Sequence, residues 1–332
     1  MKYVNILTSS NFPVFLRQLD QERYGKDFLF FENSNEDIVW DYIVVYEEIK
    51  KPITLKCKKG GLIFFSGESS DSRYYGKSFL DQFDAVIATH GYIKHKNFIN
   101  SQIALNWHYG FSYTQKTFSC NYLQLAKALR PIKTKNISII TSSLCMMPGH
   151  LKRLRFIEKI LQRYQDKIDI FGKGVKFIDD KADALNDYMF HICLENTKEK
   201  NYWSEKLSDP ILGFSIPIYY GDPSVADYFN TNGFFQIDID KPEEAFRIID
   251  KILSNPVKYY NEKIEGLCKM REKLLNEYNF FPVFEKIIQR LSLKGQQNIT
   301  ILPCYSFFDS KIGILKLRIY RFLFNKLHRI KW

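Results

Sequence analysis

The chain has 332 residues, 45% hydrophobic and 16% aromatic, which excludes a disordered chain and favours two packed domains over one. Its net charge of +11 is uneven: Lys311–Trp332 holds seven Lys or Arg and no acid, and the rest of the chain carries only the remaining +4, too little for a general nucleic-acid-binding surface. Six cysteines, at positions 57, 120, 145, 193, 268 and 304, form no CxxC and no Cys/His cluster, which argues against zinc and a disulfide framework and suits a reducing compartment.

In chain order, "KYVNILTS" reads as a strand and "FPVFLRQLDQERYG" as a helix stopped by Gly25. "IVVYEEI", "ITLKC" and "GLIFFSGE" are strand-like apolar runs between Gly, Pro and Lys, and "SFLDQFDAVIATHG" is a short helix passing into a strand. A second series begins after Pro131. It runs "NISIITSS" (strand), "GHLKRLRFIEKILQRYQD" (amphipathic helix), "IDIFGKG" (strand and glycine turn) and "FHICLEN" (strand). Next come "SEKLSDPILGF" (helix), "IPIYYG" (strand), "SVADYF" (short helix), "FFQIDI" (strand) and "KPEEAFRIIDKILSN" (helix). This β/α rhythm predicts an α/β fold of two doubly wound domains with a cleft between them. The expected divisions are residues 1–132, 133–294 and a tail, 295–332.

Ligands in such sheets sit beyond the carboxyl ends of strands, where three polar clusters fall: "SGESSDSRYYG", "SSLCMMPGHLKR" and "ENTKEKNYWSEK". Glu68 in the first can serve as a general base or as an ordinary turn carboxylate, and composition favours the turn. In the second, Leu151, Leu154, Ile157, Ile160 and Leu161 mark the buried helix face. Arg153, near that helix's start, can clamp a phosphate, with Lys152 and Arg155 as rivals. In the third, Ser204 can cap a helix beginning at Glu205-Lys206, with Lys206 placed to neutralise phosphate and Glu205 to accept from ribose hydroxyls. A loop of this composition is by itself more often solvated than functional. Asp238-Ile-Asp240 matches a loose metal–nucleotide pattern, but Asp240 followed by Lys-Pro-Glu-Glu reads better as a helix cap. Lys173 sits in a glycine turn without the GxxxxGK[ST] frame of a P-loop, and the six histidines lack metal-ligand spacing.

Together these segments resemble the α-1,3/1,4-fucosyltransferases of glycosyltransferase family 10. "LENT", "NYWSEKL" and "IPIYYG" match the family's Phe-Glu-Asn-Ser, Asp-Tyr-(Val/Ile)-Thr-Glu-Lys-Leu and Val-Pro-Val-Val segments. "KRLRFIEKILQRYQDKIDIFGKG" is similar to its arginine helix and following strand, and "FFSGESS…FDAVIATH" to its glutamate segment. The order holds over roughly residues 60–240, with Asn201, Ser204, Leu194 and Trp203 departing from the usual residues. The resemblance implies two Rossmann-like domains in the GT-B arrangement. It implies an inverting transfer of L-fucose from GDP-fucose to a glycan hydroxyl, α-1,3 or α-1,4 on GlcNAc or Glc of a surface polysaccharide or lipopolysaccharide. Carried over residue by residue, it makes Glu68 the general base. Arg153 and Lys206 face the diphosphate, Glu205 the ribose or nearby sugar, and Asn196, Tyr202 and Ser204 belong to the same donor pocket. No metal site and no obligatory cofactor are implied, although a divalent ion could stimulate. Alternatives are another nucleotide-sugar donor and a non-catalytic glycan-binding module at a membrane.

The tail "KIGILKLRIYRFLFNKLHRIKW" places Ile312, Leu315, Ile319, Phe322, Leu323, Leu327 and Ile330 in one helical stripe, with Arg318, Arg321, Asn325, His328 and Arg329 largely opposite. A basic amphipathic helix of this kind suits an anionic membrane surface, and the rival is a helix docked on the protein's own body. No apolar run approaches a membrane span and the N-terminus lacks a signal peptide, so the expectation is a bacterial cytoplasmic enzyme, peripheral on the inner membrane or soluble.

Overall fold

Five segments, "VNIL", "YIVVY", "LIFF", "AVIA" and "YMFHICL", are apolar almost without interruption, the pattern of strands covered on both faces. In the computed structural model, which describes residues 1–9, 15–104, 106–172, 175–229 and 231–328, all five are interior strands of parallel sheets. The first eight strands in chain order are β1 (Lys2–Thr8), β2 (Phe28–Glu32), β3 (Val39–Trp40), β4 (Tyr42–Tyr46), β5 (Ile53–Lys58), β6 (Leu62–Phe65), β7 (Ala85–Ala88) and β8 (Phe98–Asn100). Six of them form a sheet in the order β2-β1-β4-β6-β7-β8, parallel throughout. Alternate residues serve two cores: Val4, Tyr42, Val44, Ile63, Phe65 and Ile87 on one face, and Leu7, Ile43, Val45, Leu62, Phe64 and Val86 on the other. Each such fully buried side chain contributes about 1.5–3 kcal/mol of apolar burial.

The second sheet contains β9 (Lys135–Ile140), β10 (Ile168–Phe171), β11 (Tyr188–Leu194), β12 (Ile216–Tyr220) and β13 (Phe235–Gln236), ordered β10-β9-β11-β12-β13 and again parallel. The chain goes from β9 outward to β10, then returns to β11 on the opposite side of β9. This reversal makes the carboxyl ends of β9 and β11 a topological switch point, the usual ligand crevice of such sheets. The helix Pro148–Tyr164 packs with Leu151, Leu154, Phe156, Ile157, Ile160 and Tyr164 buried, while Leu161, expected on that face, is 39% exposed.

The chain divides into two compact units, Met1–Asn106 with Tyr278–Tyr320, and Trp107–Glu277 with Arg321–Trp332. The division expected at 132/133 falls at 106/107, and in place of the one expected at 294/295 the chain returns to the first unit at Tyr278. There the helix Phe280–Ile288 buries Phe280, Phe281, Val283, Phe284, Ile287 and Ile288 in the core that contains Val4 and Phe30. Further on, β14 (Gln296–Ile301) pairs antiparallel with β5, which also pairs parallel with β3, in a small three-stranded sheet.

The expected helix "FPVFLRQLDQERYG" is broken. Ser10–Val14 lies outside the described residues, Leu16–Gln18 is a single 3₁₀ turn, and a separate helix Gln21–Tyr24 starts under Asp20, whose carboxylate accepts from the N–H groups of Glu22 and Arg23. A local side-chain cap competes here with helix continuation. The helices Tyr122–Lys127, Pro256–Asn276 and Phe280–Ile288 had no counterpart in the sequence reading.

The tail forms a helix, Phe308–Leu327; Arg329, Ile330, Lys331 and Trp332 lie outside the described residues. Its first half is held on the first unit: Ser310 Oγ accepts from Gly76 N at 3.1 Å, Asp309 accepts from Ser78 N at 2.9 Å, and Ile314 packs on the core of Phe64 and Phe79. The aliphatic stripe named above faces elsewhere, with Leu315, Ile319, Phe322, Leu323 and Leu327 exposed.

Candidate functional site

At the switch point of the second sheet lies a cavity of about 280 Å³. The ends of β9 and β11 supply Ile140, Thr141, Ser142 and Ile192–Leu194, and the two helices that begin beside them supply Arg153, Glu205 and Lys206. His108, Tyr113, Lys181, His191 and Asp209 add to its polar lining. The helix Pro148–Tyr164 reaches this position because residue 149 is glycine: a Cβ there would stand 1.6 Å from the carbonyl oxygen of Asn196.

Arg153 is 6% exposed. Its Nη1 donates to Asn196 Oδ1 at 2.7 Å and its Nη2 to the carbonyl of Ser142 at 3.3 Å, while its buried Nε has no hydrogen-bond partner among the described residues. Burial lowers the guanidinium's pKa, opposed by Glu195 and Glu205. A desolvated cation with a spare donor at a cavity wall is suited to an anionic ligand.

Beneath the next helix, Glu195 is fully buried. It accepts from Ser204 N at 2.7 Å and from Ser204 Oγ at 2.8 and 2.9 Å, and Lys206 Nζ lies 3.6 Å away. Burial raises its carboxyl's pKa, opposed by Lys206. The Ser204 hydroxyl also accepts from Lys206 N at 3.3 Å, capping the helix Glu205–Leu212 as the sequence predicts. Lys206 Nζ lies 3.3 Å from Glu205 Oε1. Lys181 Nζ reaches the same Glu205 oxygen at 3.5 Å and Asp209 Oδ2 at 2.9 Å. Burial alone would raise the pKa of Glu205, but Lys206 and Lys181 outweigh it and hold the carboxyl well below its usual range. Asp209 and Glu205 likewise outweigh burial at Lys181 and raise its pKa. Asp209 is saturated, since its Oδ1 accepts from the backbone N–H groups of His108 and Tyr109 at 2.9 and 3.0 Å. Burial, reinforced by Lys181, pushes the His108 imidazole down to about 4, so it is neutral at pH 7.

Of the donor-site residues expected from sequence, Arg153, Glu205 and Lys206 line one cavity. Asn196 stands behind Arg153 and orients it. Ser204 and Tyr202, 1% and 3% exposed, do not line the cavity. The Ser204 hydroxyl is engaged by Glu195 and by the helix cap. Glu68 belongs to the first unit, half-buried after β6, where the Ser66 hydroxyl donates to its carbonyl at 2.8 Å. Sequence reasoning missed Lys181, His108 and Asp209. The run "DDKADALND" offers no spacing that separates Lys181 from a solvated lysine, and Asp209 looks like any acid on an amphipathic helix.

Among the described residues no group of three His, Cys, Asp or Glu side chains is arranged to hold a metal ion. Lys198 bridges Asp238 at 2.8 Å and Asp240 at 3.3 Å, and Lys152 reaches Asp240 at 2.8 Å. Asp240, expected to cap the following helix, is paired with these two lysines instead, and the helix Pro242–Ser254 starts under Lys241 with no side-chain cap. Asn201 adopts φ +67°, a left-handed conformation that asparagine tolerates better than most residues. Its side chain accepts from Tyr228 OH at 2.8 Å, and Trp203 packs on Phe229 with ring centroids 5.3 Å apart.

Residues 130–262 match the family model described as glycosyltransferase family 10 (fucosyltransferase) C-term. Over 79 residues, 24% of this chain and 16% of the relative, the chain is 39% identical to alpha-(1,3)-fucosyltransferase FucT of Helicobacter pylori. Over 95 residues, 28% of this chain and 21% of the relative, it is 30% identical to alpha-(1,3)-fucosyltransferase B of Drosophila melanogaster. A crystal structure of an alpha1,3-fucosyltransferase with GDP is 16% identical, covering 87% of this chain and 91% of that chain with a TM-score of 0.49. The chain spans well under two thirds of the length of each of these two curated relatives.

Proposed function

We propose that this chain, which matches the glycosyltransferase family 10 model over residues 130–262, belongs to that family and is an inverting fucosyltransferase that moves L-fucose from GDP-fucose to a glycan hydroxyl. The observation that carries the reading is the cavity at the switch point, where Arg153, Lys206 and Lys181 bring three cations to a wall that also holds the ionised Glu205. In the proposed reaction the acceptor oxygen attacks the anomeric carbon of fucose from the face opposite the diphosphate. The carbon–oxygen bond to GDP breaks, GDP leaves with the electron pair, and the hydroxyl proton passes to Glu68. Arg153 and Lys206 meet the charge that grows on the leaving diphosphate, so their stabilisation is greatest in the transition state. Glu205 accepts hydrogen bonds from ribose or sugar hydroxyls. Asn196 holds the guanidinium of Arg153, and Ser204 holds the start of the helix that presents Glu205 and Lys206. An α-1,3 or α-1,4 linkage to GlcNAc or Glc of a surface glycan is the corresponding acceptor reading.

The test is transfer of labelled fucose from GDP-fucose to a panel of GlcNAc- and Glc-containing oligosaccharides. Glu68→Gln is expected to abolish transfer while leaving GDP affinity within about twofold. Wild-type turnover by that variant overturns the base assignment, and transfer from UDP-sugars or GDP-mannose in place of GDP-fucose overturns the donor.

The second reading concerns the helix Phe308–Leu327, whose exposed Leu315, Ile319, Phe322, Leu323 and Leu327 accompany Lys311, Lys316, Arg318, Arg321 and Lys326. We propose that this face lies on an anionic membrane surface. No helix among the described residues is long and apolar enough to cross a membrane. Co-sedimentation with phosphatidylglycerol-containing vesicles is expected for the full chain and lost in a chain lacking residues 321–332 with Leu315 and Ile319 replaced by serine. Binding retained by that variant contradicts the membrane reading.

A further inference from the structure

We propose that His191 is a specificity-determining residue of the cavity: its Nε2 accepts a hydrogen bond from an N–H or O–H of the bound nucleoside and offers nothing to phosphate. The inference rests on reading the cavity as the donor site. The ring stands on β11 three residues before the strand ends at Leu194, directly opposite Ser138 of β9. It lines the same cavity as Arg153 and Lys206 and is 4% exposed.

Ser138 fixes which ring nitrogen holds the proton. Its Oγ lies 2.5 Å from the Ala184 carbonyl and 2.8 Å from His191 Nδ1. A carbonyl only accepts, so the single hydroxyl proton of Ser138 goes to Ala184. Ser138 Oγ must then accept from His191, which puts the imidazole proton on Nδ1. Burial, reinforced by the charge of Lys181, pushes the imidazole down to about 3, so no second proton is present at neutral pH. Nε2 is therefore a bare acceptor, without a hydrogen-bond partner among the described residues. With Nδ1 turned sideways toward β9, Nε2 at the far edge of the ring is the polar atom that His191 has for the cavity it lines.

This sets His191 apart from the other polar groups of the lining. Arg153 and Lys206 are cations suited to oxyanions, and the carboxylates of Glu205 and Asp209 are already engaged by lysines. An ionised diphosphate presents acceptor oxygens only, which a bare imidazole nitrogen cannot bond. A nucleobase N–H or a ribose hydroxyl is a donor and can. Leaving a nearly buried acceptor unpaired is costly, so a ligand without that donor is disfavoured. The cavity thus has cations for the diphosphate and an uncharged acceptor for the nucleoside.

The experiment follows the imidazole nitrogens by NMR at pH 8 in the full chain labelled with 15N-histidine, where the buried Nδ1–H of His191 exchanges slowly with water. The free chain is expected to show the Nδ1–H tautomer. Saturation with GDP should move Nε2 toward the range of a hydrogen-bonded nitrogen with Nδ1–H retained, and pyrophosphate should leave it in place. An Nε2–H tautomer, an Nε2 unmoved by bound nucleotide, or an equal response to pyrophosphate overturns the proposal. A response to ribose 5-diphosphate identifies a ribose hydroxyl as the donor, and a response to GDP alone identifies the base. If UDP binds and GDP does not, the guanosine reading fails while the response of Nε2 to UDP decides the role of His191; if neither binds, both fall. In parallel, His191→Asn keeps an amide N–H for Ser138 and removes the Nε2 acceptor. Its affinity for GDP is expected to fall about tenfold, with pyrophosphate binding within about twofold of the wild type. An equal loss for both ligands shows a purely structural histidine and overturns the proposal.

Discussion

Lys206 and Lys181 approach the Glu205 carboxylate from two different segments, at 3.3 and 3.5 Å, and Lys181 is held in turn by Asp209 at 2.9 Å. Glu205 is thus fixed and ionised before any ligand arrives. Substituting Lys181 by Met removes one of the charges that keeps the Glu205 carboxyl low, so the pKa of that carboxyl should rise, although Lys206 still opposes the rise. GDP binding by Lys181→Met is expected to weaken at least severalfold and to fall more steeply than that of the wild type as pH drops from 7 to 5, a range in which the terminal phosphate of GDP titrates for both proteins. Calorimetric titration at three pH values checks this, and parallel profiles for the two proteins contradict the role of Lys181. Glu47, directly after β4, carries a second pH effect at the same scale, with the opposite sign, because burial raises its pKa. Its folded-state carboxyl is raised from 4.5 to about 7, so its contribution to stability is fully present below about 4.5 and is lost as pH rises through 7. Glu47→Gln should therefore lose less stability than the wild type between pH 5 and 8, by on the order of 1 kcal/mol after allowance for its partial exposure. Urea unfolding across that range measures the difference.

At the scale of elements, the site depends on how closely the helix Pro148–Tyr164 approaches the loop after β11. With the Asn196 carbonyl 1.6 Å from where a Cβ at Gly149 would stand, Gly149→Ala must displace helix or strand. Because backbone rather than a flexible side chain is in the way, the expected loss is about 2–4 kcal/mol of stability, accompanied by weaker GDP binding as Arg153 moves off Asn196. A thermal melt and a GDP titration of the same preparation test the two effects together. Strands at this scale were legible in the sequence because burial on both faces leaves continuous apolar runs, as in Tyr188–Leu194. The cap at Ser204 was legible for a similarly local reason. The break at Asp20 was not, since an aspartate within an amphipathic stretch reads as a solvated helix residue unless its side chain is known to turn back on Glu22 and Arg23. Phe280–Ile288 also escaped. Its apolar run "FFPVF" has no readable period, and its burial comes from strands more than 200 residues earlier in the chain.

For the whole molecule, alternation of strands and helices was enough to anticipate two parallel sheets, but not that residues 278–320 return to the first unit. A return of this kind is decided by complementary core surfaces, Phe281 and Phe284 against Phe30 and Tyr42, which no local pattern encodes. The stripe in the tail was likewise visible as a period in the sequence. Which face packs was not, and Ser310 and Ile314 form the docked side while Leu315, Ile319 and Phe322 stay exposed. The central claim is that the cation-lined cavity of the second unit receives a guanosine diphosphate sugar. It is tested most directly by calorimetric titration of GDP into the wild-type chain and into Lys206→Ala. Saturable one-to-one binding of GDP, stronger than that of UDP and weakened at least about tenfold in the variant, is the expected result. GDP affinity equal in the two proteins, or binding of UDP in preference to GDP, would contradict it.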